Sequence, residues 1–135
     1  MSRGNARTLR KVVPIAQKRE AGGITVALSA LELYEGGEGI LRYLISHDPQ
    51  TAFKDRFKGS PEPEIEVQDG SGRYYGWGLE GYSGGDGETE GTLQTFDLPG
   101  SGDLEIRVVR VVSTEPPEGA VNEAHEGPWE FHLSL

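Results

Sequence analysis

The chain is predicted to fold as an all-β protein, an antiparallel two-layer β-sandwich of about seven to eight strands. The clearest observation is the C-terminal segment 129–135, in which Trp129, Phe131, Leu133 and Leu135 alternate with polar residues. Because successive side chains of a strand point to opposite faces, this segment has one buried face and one solvated face. Similar segments recur along the chain. Turn signals rich in glycine and proline separate them at intervals of about 8–12 residues, which is typical of a sandwich or a barrel.

The first strand is predicted over residues 9–18. This segment contains several β-branched side chains, but Pro14 interrupts it. Since proline cannot donate a hydrogen bond to a neighbouring strand, we expect an edge strand with a bend or a bulge. Gly22 and Gly23 then mark a turn.

The second strand follows these glycines and is predicted to contain a bulge. Its apolar alternation changes phase near Ser29-Ala30, which is what one extra residue in a strand produces. A helix over residues 26–35 is the alternative, because Leu28, Leu31 and Tyr34 have helical spacing. The strict alternation at the start of the segment favours the strand.

Two hairpins are predicted from their turns. Residues 35–39 connect the second strand to a return strand over 40–46. Residues 69–72 connect a strand over 64–68 to the aromatic segment 73–77. Both turns are rich in glycine, which is typical of tight connections between antiparallel strands.

Loops and strands alternate in the rest of the chain. The long connection 47–63 is expected to contain a short helical turn over 51–58, with Phe53 and Phe57 on one face. The other expected segments are a glycine-rich loop over 81–91, a strand over 92–98, a turn over 99–102, a strand from 104 with a second bulge near Val108-Val109, and an acidic loop over 116–126.

The predicted core consists of the side chains that the alternation places on the inner faces. These are Ile24, Val26, Leu28, Leu41, Tyr43, Ile45, Ile65, Val67, Trp77, Phe96, Leu104, Ile106, Val108, Trp129, Phe131 and Leu133.

A single domain of residues 9–135 is expected, preceded by a disordered basic arm of residues 1–8. The 135 residues include no cysteine, which excludes disulfides and thiolate metal sites. No apolar run has the length of a signal peptide or of a membrane span. A cytoplasmic location is therefore expected for the chain as it stands, or a secreted or envelope location if a leader or an anchor has been removed.

Charge is distributed unevenly along the chain. The first 19 residues carry +6 and the remainder carries −15, which gives the net charge of −9. The acidic body should repel nucleic acid. Whether residues 1–19 bind an anionic partner, lie against the acidic body or only add solubility stays open.

An aromatic group is the first candidate binding site. Tyr74, Trp77 and Tyr82 lie close together in sequence, and exposed aromatic rings on a β-surface can stack on sugar rings or bind peptides. The alternative is that Tyr75 and Trp77 belong to the core and that Tyr74 makes a cross-strand pair.

An acidic loop is the candidate metal site. Asp86, Glu88 and Glu90 are three carboxylates among glycines, and calcium binds six to eight oxygen ligands. The spacing matches neither the EF-hand pattern nor the glycine-aspartate nonapeptide repeat, so a solvated turn is the alternative.

Catalysis is the least favoured function. The chain has three histidines, and of these His47 lies at a predicted strand end and His125 in a predicted loop, so the two could meet. A small hydrolase that uses this pair or paired carboxylates is the corresponding hypothesis. The chain contains no nucleophile-elbow, zinc-protease or phosphate-binding motif.

Three segments carry a family resemblance. The stretch GGITVALSALELYEGGEGILRYLIS, the strand LEIRVVRV and the closing GPWEFHLSL resemble bacterial immunoglobulin-like domains of poorly characterised families. Such domains occur as accessory parts of anti-sigma-factor-like and cell-envelope proteins. The resemblance implies immunoglobulin-like connectivity and no catalytic residues.

The function expected from the sequence is that of a non-catalytic interaction module. It would mediate protein–protein contact or self-association through an exposed sheet edge, with residues 9–18 as the candidate edge. The alternative is a ligand-binding module for glycans, assisted by calcium.

Overall fold

The computed structural model describes residues 8–47, 61–85, 87–113 and 124–135. These residues form nine strands, which confirms the predicted all-β fold. The strands are β1 (Leu9–Ala21), β2 (Ile24–Tyr34), β3 (Gly39–His47), β4 (Pro61–Asp69), β5 (Tyr74–Tyr75), β6 (Gly78–Gly85), β7 (Glu88–Thr95), β8 (Asp103–Ser113) and β9 (Ala124–Ser134).

The strands form two antiparallel sheets. The first sheet has five strands in the order β1-β2-β3-β7-β6, and the second sheet has four in the order β5-β4-β8-β9. β1, β2 and β3 follow one another through tight turns, whereas β7 reaches β3 only after the chain has visited the second sheet. The predicted two-layer sandwich is therefore confirmed, with β1 and β6 at the edges of the first sheet.

Three predicted irregularities are present. The pairing of β1 with β2 shifts between Pro14 and Gln17, where Ala16 has a φ of 51°. The pairing of β2 with β3 shifts between Leu28 and Ala30, and that of β8 with β9 between Val108 and Arg110. The shift in β2 explains the phase change in the sequence, because the extra residue returns the apolar side chains to the buried face.

The core lies between the two sheets and contains most of the predicted side chains. Additional buried side chains that the alternation did not single out are Val13, Ile15, Leu31, Leu33, Leu93, Leu98 and Val111. Tyr75 is buried, as the alternative for the aromatic group predicted. Trp129 is the largest fully buried side chain. Gly127 lies directly against it, because a Cβ at Gly127 would be 2.6 Å from Cε3 of the indole.

Three core predictions need correction. Phe96 is 61% exposed, because β7 ends at Thr95 and the chain bends there; Leu98 is the side chain that returns to the core. Ile65 and Trp77 are only partly buried and pack against the edge of the core. The pairing of β4 with β8 shifts beside Ile65, so this residue does not follow the simple alternation.

The predicted glycine-rich loop over 81–91 is also wrong. Residues 81–85 belong to β6 and residues 88–91 to β7, and the two strands pair from Gly78 with Gln94 to Gly85 with Glu88. Glycine indicated a loop, but here it serves close packing within a sheet. The acidic loop was likewise drawn too long, because residues 124–126 already belong to β9.

Some predictions lie outside the described residues. They are the helical turn over 51–58, the arm up to residue 7 and most of the acidic loop. Thr8, the last residue of the predicted arm, is described, and its carbonyl accepts a 2.9 Å hydrogen bond from the N–H of Glu35. In the described ranges the chain forms no helix with the length and hydropathy that a membrane crossing needs.

Candidate functional site

The two sheets present different outer faces to solvent. On the second sheet, charged side chains pair across the strands: Arg107 with Glu130 at 2.9 Å, and Arg110 with Glu64 at 3.0 Å. All four side chains are well exposed, and such pairs add little to stability. The outer face of the second sheet is therefore a solvated charged surface.

The outer face of the first sheet is shaped differently. Ile40 is buried there, since its neighbour Leu41 points to the interior core. A polar network covers this end of the face: Arg42 Nε lies 3.1 Å from Glu32 Oε2, and the hydroxyl of Tyr34 donates to Glu32 Oε1 at 2.9 Å. The hydrogen bond and the charge of Glu32 raise the pKa of Arg42.

Next to this network is a groove with a volume of about 530 Å³. It runs over β2, β3, β7 and β6. Its lining includes Ser29, Arg42, Tyr43, Gly81, Tyr82, Ser83, Glu90, Gly91 and Thr92. A second depression of about 320 Å³ adjoins it and is lined by Leu44, Ser83, Gly84, Glu88 and Glu90.

Gly91 is the position on which the geometry of this region depends. It pairs with Tyr43 on β3 and with Tyr82 on β6, so two aromatic side chains flank it on one face. A Cβ at Gly91 would lie 2.5 Å from the Tyr43 hydroxyl and 2.6 Å from the backbone oxygen of Gly81. Only glycine fits without displacing these neighbours.

The hydroxyl of Tyr43 is an unusual polar group. Its side chain is only 3% exposed, and among the described residues the hydroxyl has no hydrogen-bond partner. Burial raises the pKa of Tyr43, and the charges of Glu62 and Tyr82 add to this effect. Burial also raises the pKa of Glu62, with Glu64 as the second cause. Tyr43 is therefore neutral at physiological pH.

The three predicted ligand-binding aromatics lie in different surroundings. Tyr74 is 64% exposed on β5 of the second sheet, opposite Gln68. Trp77 is partly buried between β5 and β6, and its indole nitrogen has no partner among the described residues. Tyr82 is 42% exposed on β6 of the first sheet. Of the three, only Tyr82 lines the groove.

The predicted metal ligands are only partly described. Asp86 lies outside the described residues. Glu88 and Glu90 alternate on β7 and face the same side, opposite Ser46 and Leu44 of β3. No group of three or more acidic, histidine or cysteine side chains with metal-binding geometry occurs in the described part of the chain. The calcium site stays a prediction.

The histidine hypothesis also stays untested. His47 ends β3 in the first sheet, where its N–H donates to the backbone oxygen of Gly87 at 2.8 Å. His125 pairs through its backbone with Val111 in the second sheet, and its side chain is outside the described set. His132, the third histidine, is exposed, with Nε2 4.0 Å from Asp103.

Asp69 organises the turn between β4 and β5. Its Oδ1 accepts hydrogen bonds from the N–H and hydroxyl of Ser71, at 2.9 and 2.7 Å, and from the N–H of Arg73 at 3.1 Å. Its Oδ2 accepts a 2.8 Å bond from the hydroxyl of Tyr75. The hydrogen bonds from Ser71 and Tyr75 are the main causes that lower the pKa of Asp69. This carboxylate supports the hairpin.

The strand β1, at one edge of the five-stranded sheet, has different surroundings in its two halves. In the second half of β1, the Gln17 side chain donates to the backbone oxygen of His132 at 3.0 Å, and the guanidinium of Arg19 lies 5.5 Å from the ring centre of Phe131. These contacts close β1 onto β9. In the first half, Leu9 is 50% and Val12 is 48% exposed.

Sequence reasoning did not identify Tyr43, Gly91 and Arg42 as groove residues. Arg42 and Tyr43 are consecutive residues of β3, whereas Gly91 lies on β7, and only the register of β3 with β7 brings Gly91 beside them. The strand alternation had placed Tyr43 in the core, which is confirmed, but nothing in the sequence indicated that its hydroxyl lacks a partner.

Comparison with known proteins adds to the fold. The crystal structure of a conserved domain protein from Bacillus anthracis is similar, with a TM-score of 0.63 and 16% sequence identity over 93% of this chain and 47% of that chain. A DUF4426 family protein from Pseudomonas aeruginosa is similar with a TM-score of 0.54 and 10% identity over 88% of this chain and 96% of that one. The chain thus spans about half the length of the Bacillus protein.

No family model and no curated protein matches the sequence. At such low identities the two structures bear on the fold alone. They are consistent with the antiparallel β-sandwich described above.

Proposed function

We propose that the protein is a non-catalytic interaction module that binds another protein or a second copy of itself through an edge of its sandwich. The observation that carries this proposal is the first half of β1. It lies at the end of the first sheet and holds two large apolar side chains, Leu9 and Val12, about half exposed. A sheet edge offers unpaired backbone donors and acceptors, and apolar side chains beside it add affinity.

The bulge in β1 limits how far a partner can extend. Pro14 has no N–H, and the shift between Pro14 and Gln17 breaks the regular ladder. Beyond the bulge, β1 is in contact with β9. A docked strand therefore pairs only with residues 9–13. Such a short paired length limits the strength of the contact and disfavours continued addition of strands.

Light scattering after size-exclusion chromatography tests this proposal. We expect the full chain to self-associate, and the double variant Leu9→Lys/Val12→Lys to shift the assembly to monomer, because lysine on an edge strand discourages pairing. Tyr74→Lys is the matched control, since it replaces a similarly exposed apolar side chain on the second sheet. A chain that is monomeric at all concentrations and retains no protein partner in pull-downs would rule the proposal out.

We propose the immunoglobulin-like relationship only in its broad form. The two antiparallel sheets and the buried Trp129 support it. The strand order differs in one respect: β2 and β3 are neighbours in one sheet, whereas the second and third strands of an immunoglobulin constant domain lie in different sheets. If the structure of a closer relative showed the same strand order, the connectivity of this chain would count as different from that of immunoglobulin domains.

Glycan binding assisted by calcium is the second candidate function. It is supported by the groove, because Tyr82 and Glu90, which come from two independent sequence predictions, line it together. Melting curves with and without millimolar calcium, followed by a glycan array, test it. We expect a rise of several degrees with calcium if the folded state binds the ion. No shift, together with a silent array, would remove this candidate.

A further inference from the structure

The opposite edge of the first sheet, β6, has a composition that edge strands rarely have. Its sequence, GLEGYSGG, contains four glycines and neither proline nor a basic residue. Natural edge strands are usually protected from pairing by lysine, by proline or by a bulge that twists them away. β1 carries such protection in Pro14 and in several basic side chains, whereas β6 has only a shift between Leu79 and Gly81.

The single charged side chain of β6 is turned away from the edge. The hydroxyl of Thr92 on β7 donates to Glu80 Oε1 at 3.0 Å, so the Glu80 carboxylate lies over the outer face of the sheet. Residues 80–84 are all exposed, and among the described residues no strand pairs with the outer side of β6. With respect to the described part of the chain, the edge from Gly81 to Gly84 is therefore open to another backbone.

The charge around this edge is negative. Glu88 and Glu90 face outward on β7 and are exposed, while Arg42 in the same groove is paired with Glu32. Glu88 and Glu90 are two residues apart, so their spacing equals that of alternate side chains on an added strand, about 7 Å. Gly85 and Ser83 lie opposite them on β6, and these small residues leave room for a long side chain to cross.

We infer that β6 is a docking edge for an extended cationic segment of another polypeptide. The segment adds a sixth strand to the first sheet, and its lysine or arginine side chains reach over Ser83 and Gly85 to Glu90 and Glu88. Backbone hydrogen bonds supply affinity and the alternating charges supply selectivity. This inference rests on the proposed interaction function, and it names a second edge and the chemistry of the partner.

A second copy of the chain fits this edge less well. Each copy carries a net charge of −9 and has Glu88 and Glu90 beside β6, so pairing of two copies through β6 would bring like charges together. Over the roughly 8 Å range in which charges act at physiological ionic strength, a cationic segment is favoured instead. Association through β6 between copies is thus an outcome that the experiment below would expose.

The experiment uses the full chain labelled with ¹⁵N and an acetylated, amidated octapeptide of alternating lysine and threonine. We expect the peptide to shift the amide resonances of residues 78–85 and to leave those of residues 9–13 unchanged. Methylation of the peptide amide nitrogens should weaken binding at least tenfold, because it removes the donors that pair with β6. The acidic peptide of alternating glutamate and threonine should not bind.

Two double variants separate local charge from total charge. Glu88→Lys/Glu90→Lys should weaken binding of the lysine peptide at least tenfold. Glu66→Lys/Glu105→Lys changes the net charge equally on the exposed face of the second sheet and should leave binding within twofold.

Equal weakening in both variants, unchanged binding of the methylated peptide, or no shift at several millimolar peptide would overturn the inference. Concentration-dependent shifts at 78–85 without any peptide would assign β6 to self-association and overturn it as well. Shifts confined to residues 9–13 would overturn the assignment to β6 and leave the proposed function, acting through β1, in place.

Discussion

The indole N–H of Trp129 on β9 donates a 3.0 Å hydrogen bond to the backbone carbonyl of Ile24 on β2, and this bond joins the two sheets inside the core. Ile24 is the first residue of β2 and is fully buried. The indole N–H would otherwise be a buried donor, and the Ile24 carbonyl satisfies it across the interface between the sheets. Trp129 therefore contributes both volume and a specific polar contact to the packing of the layers.

Trp129 should be among the most sensitive positions for stability. We expect Trp129→Ala to lower the free energy of unfolding by about 3–5 kcal/mol, through the cavity that it leaves. Trp129→Phe keeps most of the volume but removes the hydrogen bond to Ile24, so a smaller loss is expected, of which the bond accounts for about 0.5–1.5 kcal/mol. Urea denaturation followed by circular dichroism measures both. A loss below about 1 kcal/mol for alanine would contradict the buried position of the ring.

Gly91→Ala should destabilise the first sheet. The added Cβ meets the Tyr43 hydroxyl at 2.5 Å and the Gly81 backbone oxygen at 2.6 Å, and the backbone oxygen cannot move aside easily. Overpacking of this kind costs about 1–3 kcal/mol.

Gly81→Ala is the matched control for this substitution. It changes the same residue type on the neighbouring strand, where a Cβ would meet nothing within 4 Å. Thermal melts should show a loss for Gly91→Ala and little change for Gly81→Ala. Equal melting temperatures for the two variants would argue against the close packing at Gly91.

The sequence was sufficient for those parts of the fold in which one residue pattern has one physical meaning. Strict alternation predicted β9, and the phase change near Ser29-Ala30 predicted the bulge in β2, because only an extra residue reverses the faces of a strand. Glycine is different, since it favours both turns and close packing. Residues 81–91 were therefore assigned to a loop, although they form most of the hairpin between β6 and β7.

The candidate site could be predicted only in fragments. Tyr82 and Glu90 were singled out for unrelated reasons, and the register that places them on one groove depends on pairing between strands. The order of β3, β7 and β6 in the first sheet is not encoded locally, because β7 reaches β3 across a long stretch of intervening chain. Long-range pairing is thus the information that the residue pattern lacks.

Phe96 and Leu98 should respond to substitution in opposite ways. Phe96→Ser should change the free energy of unfolding by no more than about 0.5 kcal/mol, since the ring is 61% exposed. Leu98→Ala should cost about 2–5 kcal/mol, because Leu98 is buried and packs close to Gly39. Chemical denaturation of the two variants side by side measures this. A larger loss at Phe96 would restore it to the core.

Asp69→Asn should lower the melting temperature at neutral pH. The carboxylate accepts hydrogen bonds from Ser71, Arg73 and Tyr75, and these hold its pKa below the usual value in the folded state. A group whose pKa is lowered by folding stabilises the protein above its unfolded value, about 3.9, and this contribution is lost as the pH falls through the folded value.

The difference in melting temperature between the wild type and Asp69→Asn should therefore be constant near neutral pH and shrink in acid below about pH 4. Glu66→Gln is the control, since Glu66 is exposed on the outer face of the second sheet. If the Asp69→Asn difference stayed the same down to strongly acidic pH, the charge of Asp69 would not be what stabilises the turn.

Tyr43→Phe tests whether the buried hydroxyl lacks a partner in solution. Since no described residue accepts its proton, removal of the hydroxyl should leave the stability at pH 7 unchanged or slightly higher.

Burial raises the pKa of Tyr43 above the unfolded value of about 10. The neutral ring therefore stabilises the fold fully below that value, and this contribution is lost as the pH rises through the folded pKa. The phenylalanine variant should then resist alkaline unfolding better than the wild type, whereas Tyr74→Phe, at a mostly exposed ring, should behave like the wild type. A loss of more than about 1 kcal/mol for Tyr43→Phe at pH 7 would mean that the hydroxyl makes a hydrogen bond in solution.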